Sequence, residues 1–302
     1  MNQFVSTFLY TIIAYATPII FCSLGGQMTA MSGKFNLGME GMMLFSAFFS
    51  LYFTKMFNSL ALGMLLGVSI TALLGLFMAL MCIKLKVDIY IVGLAINTLG
   101  TGLTTFLIFL LTGSQASIIY TDVPKLLNIS VPLVDSVPYL NRILSGHNAL
   151  DFFAILLCVI MNFVIFRTAF GRRVRAVGLN EWTANSRGIP VNKMIYISYA
   201  LCGAFCGLAG ASLSLPQGIC VAGLIGMTNG RGWLAMAIVI LTKSNPYAVL
   251  FSSWALGAMS AIGDILQTTG NFSARLVQML PFVGAILASS IYSYRRYRRE
   301  SL

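Results

Sequence analysis

The chain has 302 residues, of which 58% are hydrophobic and only 9% charged, with a mean hydropathy of +0.87. A soluble domain of that composition could not cover its surface with polar groups, so the class is an integral membrane protein. The net charge of +11 follows the ends of apolar runs rather than a separate polar fold, which argues against nucleic acid as a partner and leaves membrane lipid as the surroundings.

A bilayer-spanning helix needs roughly 20 apolar residues. In chain order the candidate runs are 8–25, 37–54, 60–83, 88–112, 149–166, 194–216, 220–242, 247–267 and 274–293. They predict an all-α polytopic helical bundle of about nine (eight to ten) transmembrane segments, folded as a single domain over 1–302. The first run follows no Lys or Arg and precedes no small-residue cleavage pattern, so it reads as a retained helix kinked at Pro18. With the N-terminus outside, Lys34, Lys84, Lys86, the cluster from Arg167 to Lys193, Lys243 and the RRYRRE tail fall at inside ends. Only Lys55, Lys125, Arg142, Arg231 and Arg275 fall outside. This bias makes 113–148 an extracytoplasmic loop, 167–193 a cytoplasmic loop and 294–302 a cytoplasmic tail.

Two runs begin irregularly. Residues 31–43, MSGKFNLGMEGMM, have a Gly-broken start and place Glu40 just inside the apolar stretch; residues 226–236, GMTNGRGWLAM, do the same with Arg231. Short Gly-interrupted segments in matching halves are the mark of discontinuous helices lining a central pathway, and opposite sidedness would make them an inverted repeat. Two ordinary loop-to-helix entries would read the same way. Ionisable groups at membrane depth are costly and therefore functional candidates: Glu40 and Asp264 first, then Asp88 and Arg231. For Glu40 the plain alternative is a carboxylate capping a helix start or pairing with a nearby cation, and for Asp264 an interfacial position. Asn97 and Thr98 in the fourth run are pathway donors or interhelical hydrogen-bonders.

Several absences narrow the chemistry. There is no G-x-x-x-x-G-K-[ST], no HExxH and no GxSxG, so the chain carries no phosphate cradle, metal site or nucleophile motif of its own and calls for no cofactor. The six cysteines, Cys22, Cys82, Cys158, Cys202, Cys206 and Cys220, lie in or beside apolar runs without CxxC spacing and read as small buried hydrophobes. His147 stands alone in the outside loop and reads as a surface residue. A self-sufficient secondary carrier or channel remains the alternative, although the cluster of intramembrane acids expected of it is missing. A membrane-embedded enzyme using Glu40 and Asp264 as acid and base is a further rival, without a supporting constellation.

The stretch from Gly171 to Pro190, GRRVRAVGLNEWTANSRGIP, is a basic island between two blocks of apolar runs. Asn180 to Arg187 has the length of a two-turn helix, stopped by Gly188 and kept from continuing by Pro190. Trp182 and Ala184 would give it a docking surface on the cytoplasmic face. A plain positive-inside anchor is the alternative reading.

The segments SGKFNLGMEGMML, KVDIYIVGLAINTLGTGL, FGRRVRAVGLNEWTANSRGIPVNKMIYISYALCGAFCGLAGA and GRGWLAMAIVILTKSNP, in that order, resemble permease subunits of bacterial ABC importers for nucleosides and simple sugars, of the branched-chain amino acid/ribose type. The most specific matches are Asn36, Leu37, Gly38, Glu40 and Gly41; Gly171, Val177, Gly178 and Asn180; Gly188 and Ile189; and Gly230 to Trp233. The resemblance implies a subunit in the plasma membrane that is not itself an enzyme. The resemblance also implies pairing with a second permease, as homodimer or heterodimer, energy from a separate ABC ATPase and substrate from an extracytoplasmic binding protein. It further implies a coupling helix whose contact surface draws on Arg175, Gly178, Asn180, Glu181, Ala184 and Gly188, and a pathway lined by Asn36, Glu40, Asn97, Arg231 and Asp264. The outside loop would help dock the binding protein. Where this family often has two consecutive alanines in the coupling segment, the chain has Ala184-Asn185 beside a bulky Trp182.

Overall fold

The computed structural model describes residues 2–114, 116–129, 145–223, 226–269 and 277–300. The chain is mostly helical: α1 (Asn2–Met31), α2 (Met39–Phe57), α3 (Leu60–Ile83), α4 (Ile89–Thr112), α5 (Ala149–Arg167), α6 (Ala169–Leu179), α7 (Glu181–Ser186), α8 (Val191–Ser214), α9 (Arg231–Thr242), α10 (Pro246–Thr269) and α11 (Leu280–Glu300). Among the described residues six of these, α1, α3, α4, α5, α8 and α10, are long and apolar enough to cross a membrane. The run 37–54 becomes α2, which carries Glu40 in its first turn and Lys55 in its last. The run 274–293 falls largely in α11, with 274–276 outside the described residues.

The run 220–242 is not one helix. Its first residues lie in a short strand, Asn229 and Gly230 both take left-handed backbone at φ 44 and φ 74, and α9 begins only at Arg231. Twelve residues at 1.5 Å each make α9 roughly 18 Å long, little more than half a hydrocarbon core.

The core forms where α8 packs against α1, α2 and α3. Water is not there to drive helices together in a bilayer, so close packing of small residues does that work. Gly203 and Gly207 of α8 face Thr71 and Val68 of α3, and Gly210 faces Met43 and Ala47 of α2. All six cysteines are free and five are fully buried, as their apolar surroundings in the sequence suggest.

The outer loop adds structure that an all-α reading leaves out. Strand β1 (Ser117–Ile119) pairs antiparallel with β4 (Ile219–Val221), which ties the loop after α4 to the approach of α9. Strand β2 (Asn128–Ile129) pairs with β3 (His147–Asn148). Residues 115 and 130–144 of this loop, Asp135 and Arg142 among them, lie outside the described residues, as does Arg275. The surface reading of His147 is corrected: it is buried, stacked on Tyr10 at 4.2 Å, with Nδ1 3.3 Å from the Asp151 carboxylate. The strand pairing folds the loop back over α1 and shuts the ring away from water.

Replacing Gly203 with Leu should drive its side chain into the Thr71 backbone. At an overpacking cost of about 1–3 kcal/mol, the variant should melt earlier in detergent. Gly102→Leu, whose position has open space around it, should melt with the wild type; equal melting of both variants would remove this account of the core.

Candidate transport and coupling site

The two irregular entries read in the sequence meet in space. Glu40, in the first turn of α2, turns its carboxylate onto the start of α9: Oε1 accepts from the Thr228 hydroxyl at 2.5 Å and the Gly230 N–H at 3.0 Å, and Oε2 accepts from the Gly232 N–H at 2.6 Å. The first N–H groups of a helix have no partner in the helix and carry the positive end of its dipole. A buried carboxylate is tolerable only when its charge is so met, and charge-assisted hydrogen bonds of this kind are among the stronger ones. A Cβ at Gly232 would stand 2.6 Å from Oε2, so only glycine lets the carboxylate sit there. Glu40 therefore caps a helix start, but that of another helix.

The segment between α1 and α2 is held unwound by side-chain amides. Asn36 accepts from the Gly38 N–H at 2.8 Å and donates to the Cys202 sulfur at 3.2 Å. Asn97 of α4 accepts from the Gly41 N–H and donates to the Leu37 carbonyl, both at 2.8 Å. These groups replace the backbone bonds that a break inside the bundle leaves open. Asn36, Glu40 and Asn97 thus each meet a backbone N–H at or near the two irregular entries. Thr98 bonds back to its own helix at Leu94, and Asp88 caps the start of α4.

Arg231 and Asp264 come together through a residue the sequence reading missed. The guanidinium of Arg231 lies 5.4 Å over the ring of Tyr15 and donates to the Met227 carbonyl at 3.2 Å, while the Tyr15 hydroxyl donates to the Asp264 carboxylate. Tyr15 sits in a continuous apolar run, and nothing local marks it. Beside this group opens a cavity of about 420 Å³, walled by Tyr15 of α1, Asn148 and Asp151 at the start of α5, Gln217 beyond α8, and Asn229 and Arg231 at the entry to α9.

The basic island folds as two helices. The Thr168 hydroxyl accepts from the Gly171 N–H at the start of α6, and Asn180 ends α6 while its side chain accepts from the Thr183 N–H to start α7. Gly188 closes the segment in left-handed backbone at φ 76. Gly178 lies so close to Met31 that a Cβ there would overlap the Met31 carbonyl oxygen. Beside this contact Lys34 Nζ is 3.0 Å from Glu181 Oε1, an ion pair exposed enough to contribute under about 1 kcal/mol. Its value is positional: it joins α7 to the unwound segment.

Asn180 and Glu181 are exposed. Ala184 is not: at 4% exposure it faces the protein. Arg175 lies 5.1 Å over Phe166 and anchors α6 to α5. The exposed apolar groups are Trp182 at 83% and Leu179 at 88%, the latter missed because it reads as part of the preceding helix. Between α7 and the start of α8 lies a groove of about 560 Å³ lined by Glu181, Trp182, Asn185, Pro190, Asn192 and Lys193.

Residues 8–288 match the model of the branched-chain amino acid transport system permease component. The chain belongs to this permease family. The permease is 30% identical to the guanosine ABC transporter permease protein NupQ of Bacillus subtilis, over 95% of this chain and 92% of that one. It is 32% identical to TsgC13 of Haloferax volcanii, named as a candidate glucose ABC transporter permease, over 98% and 89%. It is 30% identical to the nucleoside ABC transporter permease protein NupC of Lactococcus lactis, over 93% and 90%. A solved ABC transporter described as metal-chelate type and inward-facing matches the fold with a TM-score of 0.51 at 16% identity, covering 95% of this chain and 85% of that one. The permease is therefore the multi-pass plasma-membrane subunit of an ABC transporter, and ATP hydrolysis belongs to a separate ATPase chain.

Glu40→Ala should leave the Gly230 and Gly232 N–H groups without their acceptor, a loss of about 1–3 kcal/mol, and lower the melting temperature of the purified permease. Glu40→Gln, which keeps one acceptor oxygen, should fall between the two. Melting of the alanine variant with the wild type would show that the cap holds nothing.

Proposed function

We propose that the permease is one of two such subunits in an ATP-driven importer of nucleosides, with simple sugars as the second substrate class. The observation that carries the coupling part is α7: a short helix capped by Asn180, presenting Trp182 outward beside the exposed Leu179 at the end of α6, and tied by Lys34 to the unwound segment whose far end holds α9. The exposed indole beside a groove offers a partner the kind of aromatic anchor that dominates protein interfaces. In this reading the ATPase seats on α7 through Asn180, Glu181 and Trp182, and Arg175, Gly178, Ala184 and Gly188 shape and hold the helix.

Displacement of α7 would pass through Glu181 and Lys34 to residues 34–38, and from there through Glu40 to α9. The solute path runs past Arg231 and Asp264, with Asn36, Glu40 and Asn97 as positioning residues. The names of NupQ and NupC favour nucleosides, and that of TsgC13 supports sugars as the second class. The amide-rich cavity wall suits uncharged solutes with many hydroxyls. We further propose nine crossing segments in one domain, with α2, α11 and the broken segment that ends in α9 added to the six long helices, broken entries related by an inverted repeat, the N-terminus outside and the C-terminus in the cytoplasm. An extracytoplasmic binding protein would dock on the outer loop.

Trp182→Asp tests the reading in the complete transporter. Its loss should cost the ATPase contact a residue of hot-spot type, on the order of tenfold or more in uptake, at unchanged membrane level, and the ATPase should no longer co-purify in mild detergent. Normal uptake with the ATPase retained would remove α7 as the docking helix.

A further inference from the structure

Arg231 is oriented by two contacts, one of which is itself held by a third residue. Tyr15 fixes the plane of the guanidinium, the Met227 carbonyl takes one Nη1 donor, and Asp264 holds Tyr15 rather than being spent on Arg231 in an ion pair. The Glu40 carboxylate is consumed by the start of α9. Among the described residues Arg231 makes no salt bridge. Of the five donors of a guanidinium, most are therefore left over, held in a rigid fork at the wall of a cavity whose volume, about 420 Å³, lies in the range of small-molecule sites. Elsewhere the wall carries the amides Asn148, Gln217, Asn229 and Gln278, able both to donate and to accept, together with the Asp151 carboxylate, which is occupied by the Asn148 N–H and His147.

We propose that this cavity is a way-station for a 6-oxopurine nucleoside, with Arg231 reading the O6 and N7 edge of the base and the amides meeting the ribose hydroxyls. The chemistry is one-sided. A 6-oxopurine offers two acceptors to the fork, whereas a 6-aminopurine offers one acceptor and one donor, which the fork cannot pair. Bidentate amides reverse that preference. The inference rests on the nucleoside reading and adds to it a residue that selects within the class.

Uptake of guanosine and of adenosine is measured in cells carrying the complete transporter with wild-type permease, Arg231→Gln or Arg231→Lys. The binding protein is the same in every strain, so its own selectivity cancels in the comparison. Loss of one good bidentate pair should lower the guanosine-to-adenosine ratio roughly tenfold in Arg231→Gln. Arg231→Lys, which keeps the charge and loses the fork, should lower it in the same direction. Should either variant fail to reach the membrane, the wild-type complex gives the same answer by footprinting with an arginine-selective dicarbonyl: guanosine should protect Arg231 and adenosine should not. Nucleoside uptake with an unaltered ratio, or equal protection by both, overturns the proposal and leaves the importer standing. Absence of any nucleoside uptake by the wild type overturns the substrate reading and this proposal with it.

Discussion

The carboxylate of Glu40 on the first turn of α9 is the contact on which the rest of the architecture depends. A helix of twelve residues that begins inside the bundle has its unpaired N–H groups where water cannot satisfy them. A carboxylate buried at the same depth has the opposite need. Each removes the cost of the other, and Gly232 leaves the space that lets them meet. Without this pairing the late start of α9 would leave its N–H groups unmet inside the bundle.

That contact also organises the polar groups around it. Asn36 and Asn97 hold the unwound backbone, so α2 begins at a fixed place and Glu40 is delivered to one position only. At the other side of the entry, Arg231 stands one residue from the cap and faces the cavity beside Tyr15. At the other end of the unwound segment, Gly178 and Glu181 touch Met31 and Lys34. In the importer reading, a push on α7 and a change at the cavity wall are two ends of one short path through residues 31–40.

Much of this was legible in the sequence because composition and apolar run length dictate it. The long helices, the break at 31–43, the late entry at 226–236 and the capped island at 180–188 all follow from local rules about charge, glycine and proline. What local rules cannot supply is pairing at a distance. Glu40 and Gly232 are separated by 192 positions, and nothing near either names the other. Tyr15 is silent inside an apolar run, and the pairing of β1 with β4 involves only three residues on each side. Which face of α7 turns inward is also beyond local rules, because a helix of six residues is too short for its periodicity to tell.

The most direct test of the account is the coupling ratio of the assembled transporter carrying Glu40→Gln, measured as ATP hydrolysed per solute imported in proteoliposomes with the ATPase and binding protein present. If the cap links the motor helix to α9, hydrolysis should persist while import falls, and the ratio should rise well above that of the wild type. An unchanged ratio at normal import would contradict the claim that force reaches the pathway through this carboxylate.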